Sequence, residues 1–164
     1  MRERPTARVL LIDPDKRLLL QRIVDPSISE LGQPPIDELW CPVGGGVDDH
    51  ETYEVAARRE VWEETGIIDV QLGPWVWSRN LTMYWKGEKV LFPERFFLAW
   101  SHTAEISLEN LEDAERQTIR EFRWWEPQAL LDAQTNTIFK PDFIPSGLNT
   151  ILKEGPPSEP MLVT

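Results

Sequence analysis

GGVDDHETYEVAARREVWEETGI, residues 45–67, runs from a glycine turn into a charged helix, and the rest of the chain is arranged around it. Thr52 is a natural N-cap, with Glu54 in the electropositive first turn. Gly66 follows Thr65 as a C-cap, where a left-handed residue is needed and glycine is least strained. On that helix Glu60 stands three and four residues before Glu63 and Glu64, so the three carboxylates share one face. Like charges at these spacings oppose the helix by some tenths of a kcal/mol per pair unless something neutralises them. A hard divalent cation does so, and Mg²⁺ in particular joins carboxylates to substrate phosphates. The three glycines, Gly44 to Gly46, allow close backbone approach, so a carbonyl near Gly45 can complete a metal shell. Arg59 and Glu51 are natural counter-charges that can tie the loop to the helix through a bidentate pair.

Three glutamates on a helix are, taken alone, most simply a solvated acidic face. The full spacing argues otherwise. Gly45, five residues, Glu51, seven residues, then Arg59-Glu60-Val61, Glu63-Glu64, Gly66 and Ile67 fix nine positions in a 23-residue window. At average composition a chain of this length holds such a match by chance on the order of 10⁻⁷.

The pattern resembles the Nudix signature, G-x5-E-x7-R-E-U-x-E-E-x-G-U with U apolar, at every specified position. The resemblance implies an α/β fold, an α/β/α sandwich on a mixed sheet, and Mg²⁺- or Mn²⁺-dependent attack of water on a nucleoside diphosphate linked to another moiety. Carried onto this chain, it makes Glu60, Glu63, Glu64 and the Gly45 carbonyl metal ligands, with Arg59 and Glu51 orienting them. One departure is Val43, where many members have proline; Pro42 lies one earlier. A general base is also implied, either Glu64 in the helix or a carboxylate among Glu112, Glu115 and Glu121, of which Glu115 is favoured. Arg22 occupies a place where Nudix proteins often bind phosphate, and Arg79 and Arg95 are weaker candidates. Trp40, Trp77, Trp85 and Trp100 could stack on a base, although core packing is the simpler role for strand aromatics. Cys41 resembles the cysteine of isoprenoid diphosphate isomerases of the same fold, but their box departs from the signature that is intact here. His50 and His102 have no metal-ligand spacing with other His or Cys, so zinc is not expected.

The chain has 164 residues, 41% hydrophobic, and a formal net charge of −11. That fits one domain, expected over residues 1–154, with the proline-rich 155–164 expected to fray. The acidity disfavours long nucleic acid or an anionic membrane as partner. No apolar run spans a bilayer and no signal peptide is expected, so a cytoplasmic location follows as an expectation. A single cysteine excludes an internal disulfide. Around the box we expect a hairpin from Ala7–Ile12 and Arg17–Ile23, and a functional loop, a lid or specificity loop, over 25–37. Strands are expected at Ile67–Val70, Trp75–Trp77, Leu81–Trp85, Val90–Phe92, Arg95–Trp100 and Phe122–Trp125. Helices are expected at Pro127–Ala133 and Asp142–Leu152. The first-guess substrate is a nucleoside triphosphate yielding the monophosphate and pyrophosphate. ADP-ribose, nucleotide sugars, dinucleoside polyphosphates and capped RNA stay open, as do a non-catalytic binding role and a homodimer.

Overall fold

A computed structural model of the chain describes residues 1–25, 29–34 and 36–164. In chain order the elements are β1 (Arg2–Glu3), β2 (Thr6–Ile12), β3 (Leu18–Ile23), β4 (Ser29–Glu30), β5 (Leu39–Gly46), α1 (Tyr53–Thr65), β6 (Gln71–Trp85), β7 (Glu88–Trp100), α2 (Asp113–Thr118), β8 (Ile119–Trp125), α3 (Pro127–Ala133), α4 (Ile144–Glu154) and β9 (Met161–Leu162). Among the described residues the strands form one mixed sheet ordered β4-β6-β7-β2-β5-β3-β8, with β1 added to β7 and β9 to β6.

Alternation along the strands sends side chains to two cores, because successive residues face opposite sides. Ala7, Val9, Leu11, Leu19 and Val43 meet Ala56, Ala57 and Val61 of α1 on one face. Leu10, Ile12, Leu18, Leu20, Trp77 and Phe96 meet Leu130 of α3 and Ile144, Leu148 and Ile151 of α4 on the other. The expected α/β/α sandwich is therefore present. Strand β2 is buried along nearly its whole length, as a central strand covered on both faces must be.

The N-terminal hairpin is not a simple one. Strands β2 and β3 pair only at Ile12↔Leu18; beyond that β5 enters between them. It pairs with β3 over Leu39–Pro42 and with β2 over Val43–Gly46. Pro42, which has no N–H for a ladder, sits where β5 changes partner. Gly44 makes the second half feasible: its φ is +149°, and a Cβ there would overlap the Ala7 carbonyl and lie 2.8 Å from the Arg8 Cα. The site lies at the glycine end of β5, where that strand runs between β2 and the end of α1.

Several expected strands fuse into the long β6 and β7, whose hairpin turns through Lys86 and Gly87, both at positive φ. Ile67–Val70 is not a strand. After Gly66 the chain is irregular, with Ile67 and Val70 buried and Ile68 exposed. Within the expected 25–37 loop, β4 pairs with β6, while residues 26–28 and 35 lie outside the described residues. The C-terminal segment, expected to fray, docks instead. Strand β9 pairs parallel with β6, the Val163 N–H donates to the Ser78 carbonyl at 2.8 Å, and the Val163 side chain is buried beside the Trp77 core. A single apolar residue after the prolines supplies that anchor. No helix among the described residues is long and apolar enough to cross a membrane.

Candidate active site

Helix α1 is the platform. The Thr52 side chain accepts from the Val55 N–H at 3.1 Å, and the Gly66 N–H, at φ +77°, closes the helix on the Trp62 carbonyl at 2.8 Å. Between these caps the helix turns Glu60 and Glu64 inward, 7% and 1% exposed. The glycine loop lies directly beneath them. The Gly44 N–H donates to Glu64 Oε2 at 2.9 Å, and a Cβ on Gly45 would lie 2.6 Å from the Glu60 carboxyl carbon. Glycine at 45 is thus what lets the loop reach a carboxylate.

Glu115 completes a cluster. It stands in the first turn of α2, whose Glu112 and Glu115 form a reciprocal capping box. One oxygen from each of Glu60, Glu64 and Glu115 lies within 4.8 Å of the others. Burial pushes Glu60 up to about 7, with Glu63 adding to the rise and Arg59 opposing it. Burial raises Glu64 further above the carboxylate range, and Glu60 and Glu115 reinforce the shift. Two buried carboxyl groups with a third beside them form an arrangement that a shared cation would stabilise. The donors are hard oxygens only, which suits Mg²⁺ or Mn²⁺ and not zinc.

Arg59 holds the rim of this cluster. Its Nε and Nη2 grip both Glu51 oxygens at 2.8 and 2.9 Å, and Nη2 also donates to the Gly46 carbonyl at 2.8 Å. Its Nη1 reaches Glu60 at 2.8 Å and Glu63 at 3.2 Å. Glu63 therefore faces Arg59 and the wider cleft, outside the tight three-carboxylate group. The hydrogen bonds from Arg59 hold Glu51 down to about 2.

Two openings meet at the cluster. A cleft of about 640 Å³ runs over Gly44–Asp48, Glu60, Glu63 and Glu115. Arg4, Trp85 and Lys86 line it too; the Arg4 guanidinium lies against Gly46 and 4.2 Å from the Trp85 ring, and the Lys86 ammonium is 4.5 Å from that ring. The second opening, about 240 Å³, enters the sheet past Gly44, Glu64 and Glu115, which it shares with the carboxylate cluster or its loop. Its walls include Arg8, Gln21, Cys41, Arg79, Phe96 and Lys140. Buried Glu94 bridges two of these wall residues, accepting from Arg8 Nε at 3.1 Å and from Arg79 Nε at 2.6 Å. Burial works against the Arg8 charge, but Cys41, Glu94 and Glu64 hold it above the usual arginine range.

Of the expected phosphate-binding arginines, only Arg79 lines this cavity. Arg22 points away, since Gln21 and Ile23 take the cavity side of β3, and it pairs with Glu38 at 3.2 Å and Glu121 at 3.4 Å. Arg95 lies between the Tyr53 and Trp75 rings, 4.1 Å from each, on the α1 side of the sheet. Trp40 and Trp77 are core residues, Trp40 packed edge-on against Trp125. Trp85 alone among the tryptophans considered for stacking borders the cleft. Cys41 is buried, and burial pushes its thiol up, which suits packing better than reaction. The sequence reading missed Arg4, Arg8, Gln21, Lys86 and Lys140. Arg8 comes in on β2, Gln21 on β3 beside β5, Lys86 in the β6–β7 turn and Lys140 from the segment after α3, and no local motif announces these meetings.

Comparison with known proteins agrees with this architecture. The chain is 44% identical over 69 residues to an RNA pyrophosphohydrolase of Caulobacter vibrioides, a match that spans 42% of this chain but only 36% of that relative. It is 30% identical over 132 residues to the nucleoside triphosphatase NudI of Escherichia fergusonii, covering 77% of this chain and 84% of the relative. The solved MutT protein of Methanosarcina mazei Go1 has the same fold, with a TM-score of 0.60 over 93% of this chain and 95% of its own, at 21% identity. The NUDIX domain model matches residues 2–146, which is most of the chain, and with the intact box on α1 the chain belongs to the NUDIX family.

Proposed function

We propose that the protein is a metal-dependent pyrophosphohydrolase of small nucleotides, a nucleoside triphosphate first among them, releasing a nucleoside monophosphate and pyrophosphate. The observation that carries this reading is the group of Glu60, Glu64 and Glu115 oxygens within 4.8 Å at the junction of a cleft and a cavity. Those three carboxylates would hold Mg²⁺ or Mn²⁺, with Glu63 and the Gly45 carbonyl available beside them. The ion, when bound, would neutralise the diphosphate and acidify a water.

The chain's own residues supply the rest. Arg59 keeps Glu60 and the Gly46 carbonyl in place through its fork to Glu51. Glu115, on a different element from the box, is the group we assign to take the proton as water oxygen attacks phosphorus and the bridging P–O bond breaks. Arg4 and Lys86, which line the same cleft as Glu60 and Glu63, are placed to meet phosphate charge. The resemblance to the nucleoside triphosphatase over most of both chains supports the small-nucleotide reading. The net charge of −11 speaks against a long RNA track.

Product analysis tests it. Purified protein with Mg²⁺ is offered nucleoside triphosphates, ADP-ribose, nucleotide sugars and a 5′-triphosphorylated oligonucleotide, beside the Glu64→Gln variant. Cleavage of the triphosphates by the wild type, lost in the variant, is the expected result. Metal-dependent ligand binding without turnover of any substrate would instead make this a binding domain.

A further inference from the structure

Glu64 is the most deeply buried carboxylate of α1, and the loop that meets it is held from behind by a charged side chain. The Gly44 N–H donates to Glu64 Oε2 at 2.9 Å. That N–H belongs to the Val43–Gly44 peptide. The peptides before and after it present the Pro42 and Gly44 carbonyls, and a single nitrogen, Arg8 Nη1, donates to both at 3.3 and 3.4 Å. Arg8 stands opposite Gly44 in the β2–β5 ladder, and a Cβ on Gly44 would come within 2.9 Å of the Arg8 Cδ. Glu94 braces the guanidinium on its other side, accepting from Nε at 3.1 Å. The Glu94 side chain is 2% exposed, and its second oxygen takes Arg79 Nε at 2.6 Å.

This arrangement asks for a reason on two counts. Glycine sets no peptide plane by itself, so a run of three leaves the loop's orientation to whatever is built around it. A buried ion network in a central strand is also a poor source of stability, because apolar residues of similar volume serve a core as well or better. The contacts answer both. Arg8 pins each neighbour of the one peptide whose N–H meets Glu64, and Glu94 fixes the guanidinium that does the pinning.

We propose that Arg8, braced by Glu94, is a positioning residue of the carboxylate site: it sets the planes of the glycine loop so that the Gly44 N–H holds Glu64 in place for the cation. Arg8 acts on Glu64 through Gly44. This rests on the metal-dependent reading above and adds to it a residue from β2, outside the box.

Metal binding without nucleotide tests it. Mn²⁺ titration followed by electron paramagnetic resonance should give a dissociation constant at least about tenfold higher for Arg8→Met than for the wild type. Arg8→Lys keeps the charge but brings one nitrogen to the Glu94, Pro42 and Gly44 acceptors, and should stay within about threefold of Arg8→Met. Arg79→Met takes the other arginine from Glu94 and leaves the loop contacts, so its Mn²⁺ affinity should stay within about threefold of wild type. The Gly44 amide proton reads the geometry with no ion present. In chelator it should resonate downfield in the wild type and in Arg79→Met, as an N–H on a carboxylate does, and move upfield in Arg8→Met. Wild-type affinity in Arg8→Met or Arg8→Lys, equal losses in Arg8→Met and Arg79→Met, or a Gly44 resonance indifferent to Arg8 overturns the proposal. The wild type alone gives a check that needs no variant to fold: the Arg8 Hη protons should be separately resolved, and an averaged, freely rotating guanidinium overturns the proposal. Failure of the hydrolase reading looks different: Mn²⁺ binding still depends on Arg8, but no nucleoside triphosphate is cleaved.

Discussion

Glu60 and Glu64 are carboxylates that the fold holds in the wrong ionisation state until something joins them, and this has a measurable sign. Both have folded-state affinities for protons above the ordinary carboxylate value of 4.5, Glu60 at about 7. Between about pH 4.5 and 7 the metal-free folded protein therefore binds more protons than the unfolded chain, and its stability falls as pH rises through that window. Glu51 works in the opposite direction. Held at about 2 by Arg59, it adds stability that is present above 4.5 and lost as pH falls towards 2. Thermal melts in chelator should accordingly be highest near pH 4.5–5, and Mg²⁺ should raise Tm far more at pH 8 than at pH 5. An equal Mg²⁺ effect at both pH values would disconnect the ion from these carboxylates. Arg59→Ala leaves Glu51, Glu60 and Glu63 without their shared cation and should cost about 2–3 kcal/mol in denaturant unfolding, less than a fully buried pair because the guanidinium is a quarter exposed. These residues were legible in the sequence because one helix and one adjoining loop carry them all. Glu115 could only be favoured over Glu112 and Glu121, since its place depends on how a distant segment returns to α1.

At the level of elements, the glycine loop and the caps of α1 fix the box more than helix propensity does. Thr52→Ala removes the side-chain acceptor for Val55 and should lower stability by about 1 kcal/mol, read from urea unfolding. Gly44→Ala is a harsher change, because a Cβ has no room against β2 and φ is +149° there. We expect a loss beyond about 2 kcal/mol, with β5 pulled from β2, and a disproportionate drop in metal affinity compared with Thr52→Ala. Metal titration of the two variants separates loop geometry from general stability. The helices α1, α3 and α4 could be read ahead, because periodicity and caps are local, while the α/β/α class followed from the resemblance that the box carries. The partner exchange of β5 could not. A turn such as Asp13–Lys16 announces a hairpin, and nothing nearby in sequence says that another strand will part it. Arg22 misled for a related reason: its place along the chain is suggestive, but strand alternation turns it to two carboxylates on the other face.

Across the molecule, the two cores lie on opposite faces of the sheet, and the chain's last residues are stitched to the core that α3 and α4 cover. Val163 is 7% exposed, and its N–H bonds to Ser78. Deleting residues 160–164 should lower stability by about 1.5–3 kcal/mol, the burial of one aliphatic side chain, as a several-degree drop in Tm by calorimetry.

Helix α2 differs from every other helix in the fold: no residue in it is buried, yet Glu115 on it completes the carboxylate cluster. A segment without a core of its own opens at little cost in free energy, so it belongs to the part of the native ensemble that unfolds locally while the sheet stays intact. We expect the third carboxylate to follow that local equilibrium, which a cation engaging it would draw towards the ordered form. Amide hydrogen exchange over Asp113–Thr118 should be fast in chelator and slow by an order of magnitude or more in saturating Mg²⁺, while the amides of α1 change little. Metal capture and the ordering of α2 would then be a single event, timed by the helix and not by the box.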